Sequence, residues 1–158
     1  MLKQHWVKWL LCCGVVLAAM QSVAADVKQP EQVKNALRIL AYVQDDMSRK
    51  LTSGRYDMLP HENQEFQEAA VPMMESVTGE PETFKAEVET LLKKAQDAAS
   101  HVAEVSVTKD KVQIEMAIEA VAGALKPLNE LFPEELRPVP GQLGSGPRGS
   151  GGPPPDLR

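Results

Sequence analysis

Cysteine is nearly absent from this chain. Cys12 and Cys13 are the only two among 158 residues, and both lie in the first apolar run. With that run set aside no thiol remains. This excludes a disulfide framework, a thiolate metal site and the Cys-x-x-Cys-His attachment of a c-type haem. Reaction signatures are missing as well: there is no Gly-x-Ser-x-Gly, no phosphate-cradling glycine loop and no His-Glu-x-x-His. Beyond the leader the histidines are only His61 and His101, and neither follows the Glu-x-x-His spacing of di-iron carboxylate bundles. Carboxylates are plentiful, but the helical patterns put them on solvent faces. The expectation is a protein that is not an enzyme. Strand signals are lacking too, since the valine-rich stretch Val102–Val107 fits a helical stripe better than an alternating one.

Long apolar runs are also few. The longest, Trp9 to Met20, follows Lys3 and Lys8 and precedes Val23-Ala24-Ala25, with small residues where a signal peptidase reads. It is shorter than the roughly 20 residues that span a bilayer. Residues 1–25 therefore read as a secretory signal peptide and Asp26 as the mature start, which implies a periplasmic or secreted protein without stable membrane insertion. The formal net charge is −5 at pH 7, and cleavage removes two lysines, so the mature chain is more acidic still. An acidic surface repels nucleic acid and anionic headgroups, and nucleic-acid binding is set aside.

What the chain does have is helical periodicity. Pro30 suits the first position of a helix. Val33, Ala36, Leu37, Leu40, Val43, Met47 and Leu51 then make one apolar face that ends at Gly54, a left-handed cap. Pro60 opens a second helix with Phe66, Ala69, Ala70, Met73 and Val77 on its face. Pro72 inside it predicts a kink or break over Ala69–Val71. Thr78-Gly79-Glu80-Pro81 is a clear stop. A third helix, Glu82 to Val105, carries the stripe Phe84, Val88, Leu91, Ala95, Ala98, Val102 and Val105, with Glu89–Lys93 as a predicted ion pair on its outer face. Thr108 and Asp110 cap a fourth, striped by Ile114, Ala117, Val121, Ala124, Leu128 and Leu131. Pro127 predicts a second kink, with Leu128–Phe132 as a separate last turn.

Four amphipathic helices with short connections predict an all-α, up-down-up-down four-helix bundle over residues 26–137. From Pro138 prolines and glycines alternate without apolar periodicity. Residues 138–158 are expected to form a disordered Pro/Gly-rich tail.

One side-chain set suggests ligand chemistry. In such a bundle Met47, late in helix one, and His101, late in helix three, approach the same end, as does His61 at the start of helix two. Thioether plus imidazole is a ligand set for haem iron or Cu(I). Methionine is more commonly used to fill core gaps, and a histidine at a helix flank is usually partly exposed. The architecture of Glu31 to Pro133, with its closing phrase Ala124-Leu125-Lys126-Pro127-Leu128-Asn129-Glu130-Leu131-Phe132-Pro133, resembles the cytochrome b562 and cytochrome c-prime group of periplasmic bundles. The resemblance implies a fold. It transfers no ligand, because helix four has neither histidine nor Cys-x-x-Cys-His.

The sequence thus leads to an exported, non-catalytic binding protein of the bacterial periplasm that takes an envelope protein or a small ligand. The alternative is a haem-b or copper carrier for electron transfer or metal handling, related to cytochrome b562 and using Met47, His61 and His101. A groove between helices two and four, opened by the two prolines, is the expected binding place. Either reading is compatible with a homodimer.

Overall fold

The computed structural model describes residues 27–139. The expected signal peptide, residues 1–25, and nearly all of the expected tail lie outside the described residues. Four α-helices follow one another: α1 Pro30–Thr52, α2 Leu59–Ser76, α3 Glu82–Ser106 and α4 Lys111–Glu130. Short 3₁₀ turns at Tyr56–Met58 and Glu134–Leu136 complete the order, and among the described residues there is no strand. No helix among them is long and apolar enough to cross a membrane.

Helix α1 begins on Pro30, where a missing N–H costs nothing, and its predicted face is buried in full. Its end is a Schellman arrangement. Gly54 takes φ +71°, Arg55 N–H donates to the Lys50 carbonyl at 2.9 Å, and Gly54 N–H donates to the Leu51 carbonyl at 3.1 Å. Helix α4 starts at Asp110, whose carboxylate accepts the N–H groups of Val112 and Gln113 at 3.0 and 3.2 Å. Thr108 Oγ1 accepts the Asp110 N–H at 3.1 Å, so both predicted capping residues take part.

The prolines do not break their helices. Helix α2 runs through Pro72 and α4 through Pro127, so Leu128–Glu130 belong to α4 and the separate short turn comes later, at Glu134–Leu136. A proline removes one backbone donor and leaves the rungs on either side intact. Met73 and Val77 beyond Pro72, and Leu128 and Phe132 beyond Pro127, are all buried and hold the continuing turns against the core.

Each helix has two neighbours: α1 packs on α2 and α4, and α3 packs on α2 and α4. This doubled demand widens the buried face of α3. Val88, Ala95 and Val102 are buried as predicted, but Leu92, Ala99 and Ser106 are buried beside them, while Phe84, Leu91, Ala98 and Val105 are only partly covered. Helix α4 behaves likewise. Ile118 and Leu125 join Ile114, Ala117, Val121 and Leu128 inside, and Ala124 and Leu131 sit at the margin. A single 3–4 stripe describes a helix with one neighbour; two neighbours call for a second row.

The residues before α1 are tied down. Lys28 N–H donates to Glu80 Oε1 at 2.7 Å, the Lys28 ammonium donates to the Gly79 carbonyl, and Glu80 is buried. This clamp fastens the start of the described chain to the α2–α3 turn.

Candidate functional site

The helical spacing that buries Leu59, Phe66, Ala69, Ala70 and Met73 on α2 also carries Glu62 inward. Glu62 is 2% exposed, and Glu80 is buried with it, so carboxylates are not confined to solvent faces as their number and distribution suggested. Facing Glu62 from α1 are Asp46 and Lys50, one helical turn apart. The Lys50 ammonium lies 2.8 Å from Asp46 Oδ2 and 3.3 Å from Glu62 Oε1. The second oxygen, Oε2, is buried and has no hydrogen-bonding partner among the described residues.

One cation is thus shared between two carboxylates. Burial pushes the Glu62 carboxyl above its ordinary value, and the Asp46 charge adds to this, against the opposing pull of Lys50. The Lys50 ammonium is also raised, first by its hydrogen bond to Asp46 and against the effect of burial. The signal for this site was present in the sequence. Leu59-x-x-Glu62-x-x-x-Phe66 puts a glutamate on a stripe position, and only the apolar members of the stripe attract notice.

The proposed ligand residues have different surroundings. Met47 is fully enclosed within the core. His61 projects outward with its side chain 57% exposed, and Nε2 lies 3.1 Å from Glu65 Oε1. His101 is 59% exposed, and Nδ1 lies 3.3 Å from Glu104 Oε2. Each histidine is therefore paired with a glutamate of its own helix. Among the described residues no group of three or more His, Cys, Asp or Glu is arranged to hold a metal ion.

A groove of about 340 Å³ lies between α2 and α3. Ala70, Val71, Met74 and Leu92 supply apolar lining, and Glu75, Glu89 and Lys93 supply charge. Gln67 and Gln96 line it as well and bridge the helices. The Gln96 amide donates to Gln67 Oε1 at 2.9 Å, and the Gln67 amide donates to the Gln96 carbonyl at 3.1 Å. Val71 of the lining is 57% exposed, a large apolar side chain left in water. Lys93 pairs with Asp97 at 2.7 Å, in place of the predicted Glu89; it has a carboxylate one turn away on either side and takes the C-terminal one. The groove does not join α2 to α4, because those helices are not packed neighbours. An apolar lining with a few fixed polar groups provides contact area and orientation for a bound molecule.

No protein family, curated protein or solved structure matches the chain, and none of these comparisons links it to the cytochrome b562 or cytochrome c-prime group.

Proposed function

We propose that this protein acts by binding: an exported up-down-up-down bundle of the bacterial periplasm, taking a protein partner or small ligand along the α2–α3 groove. The carrying observation is the groove itself, where Val71 and Met74 meet Leu92 between charged margins. The ring of neighbouring helices and the short connections support the up-down-up-down order. Export rests on the leader pattern, and mass spectrometry of the mature chain, expected to begin at Asp26, tests it.

The groove reading is tested by NMR titration of isotope-labelled protein with a panel of small apolar ligands and with fractionated periplasmic extract. Shifts centred on Val71, Met74 and Leu92, abolished by Val71→Asp in a folded protein, support it. Shifts that map elsewhere, or that survive Val71→Asp, overturn it.

A further inference from the structure

Glu62 stands apart from the groove and has a property that neither packing nor ligand binding calls for. An apolar or amide side chain would fill its place on the α2 stripe at lower cost. A carboxylate there has one oxygen within reach of Lys50 and the other with no partner, at 2% exposure. Burying an ionised oxygen without a partner is far more costly than burying a neutral one, because the lost hydration of a charge greatly exceeds that of a hydroxyl.

The charged groups bearing on this carboxyl are few. From α1 come Asp46, which repels its ionised form, and Lys50, which attracts it but makes its shorter contact with Asp46. From α2 itself comes Glu65, which is paired with His61. Asp57, in the 3₁₀ turn beside α2, is exposed, and among the described residues it makes neither a hydrogen bond nor an ion pair with Glu62. No side chain of α3 or α4 pairs with Glu62 among those residues; on α3 the exposed His101 and Glu104 contact each other.

We propose that Glu62 is a proton-operated latch between α1 and α2: with a proton bound the seam closes over a neutral carboxyl, and without it the seam holds two carboxylates against one ammonium and opens more often. The raised carboxyl agrees with this geometry, and the sign follows from it. A group that binds its proton more tightly in the folded state than in the unfolded state contributes stability that is complete below the unfolded value. That contribution is lost as pH rises through the folded value. The latch is therefore set at and below the ordinary carboxylate range and released as pH rises through the raised Glu62 value. Each unit by which the folded value lies above the unfolded one corresponds to about tenfold more frequent opening above that range. The mechanism is independent of what the groove binds.

Two measurements on the mature protein test it. Carboxyl-carbon NMR should show Glu62 titrating at a higher pH than the exposed glutamates; Glu62 titrating with them or below them overturns the latch. Amide exchange over residues 43–51 and 59–66, compared at matched pH with Glu62→Gln, should show wild-type protection falling relative to the variant as pH rises. A merely structural role for Glu62 would give a constant offset between the two proteins, and such parallel profiles overturn the proposal. If Glu62→Gln does not fold, the wild-type carboxyl titration decides alone.

Discussion

The α1–α2 seam and the α3–α4 seam do the same work with different chemistry. Between α1 and α2 the contact includes Asp46, Lys50 and the buried Glu62 alongside Met47 and Phe66. The packed α3–α4 pair buries Val88, Ala95, Val102, Ile114, Val121 and Leu125, and the one buried polar residue at its turn, Ser106, is satisfied by the Ala103 carbonyl at 2.7 Å. Near the far end Phe84 and Phe132 meet edge-to-face, with ring centroids 5.6 Å apart at 88°. Apolar burial is indifferent to protons, whereas a shared ammonium is not. The two halves of one core should therefore answer differently to mutation and to pH.

The largest effect is expected on the apolar side. Phe132→Ala removes a ring that is 1% exposed and should cost about 3–5 kcal/mol in denaturant unfolding, equally at pH 5 and pH 7.5. A loss that changes with pH would erase the distinction between the seams.

Next comes Lys50→Met, which leaves Asp46 and Glu62 without their common cation. Because the Lys50 side chain keeps 16% exposure, water can partly replace it, and a cost of about 2 kcal/mol at neutral pH is expected. The cost should shrink as pH falls and the Glu62 carboxyl takes up its proton, which is the reverse of a packing defect. In the intact protein Lys50 holds its proton more tightly when folded. Its contribution is accordingly present below its unfolded value and lost as pH climbs beyond it, so alkaline titration should destabilise wild type more than Lys50→Met.

Capping effects are smaller. Asp110→Ala strips two backbone N–H groups of their acceptor and should cost about 1 kcal/mol in denaturant unfolding. The smallest effect belongs to His101→Ala, an exposed site where a change within about 0.5 kcal/mol is expected in thermal unfolding. The same variant discriminates between functions: a Soret band on haem titration, or Cu(I) binding, that disappears in His101→Ala would establish a carrier and displace the groove reading.

Much of the fold was legible because its determinants are local. Every member of the α1 stripe is buried, Pro30 opens that helix, Gly54 takes the left-handed cap, and Asp110 caps α4. The candidate site was far less legible. The α2 stripe spacing marks Glu62 as facing inward, but its sharing of Lys50 with Asp46 emerges only once α1 lies beside it, since both are more than ten residues away in sequence. The Lys28–Glu80 clamp spans about fifty residues and has no local signature. At the prolines no break occurs: Pro72 and Pro127 are strong local breakers, yet the buried residues beyond them keep both helices continuous. Met47 as a member of the α1 stripe and His101 as an exposed flank residue were legible from the pattern, and the structure places them so.

By itself the sequence determined four helices, most of their ends, and one apolar row on each, because periodicity and capping act within a few turns of chain. Only the tertiary structure decided how wide the buried face of α3 had to be, where a groove remained, and that one glutamate would share a lysine inside the core. Those outcomes depend on which helix lies beside which, and on the loss of water between them, and neither is encoded in any single segment.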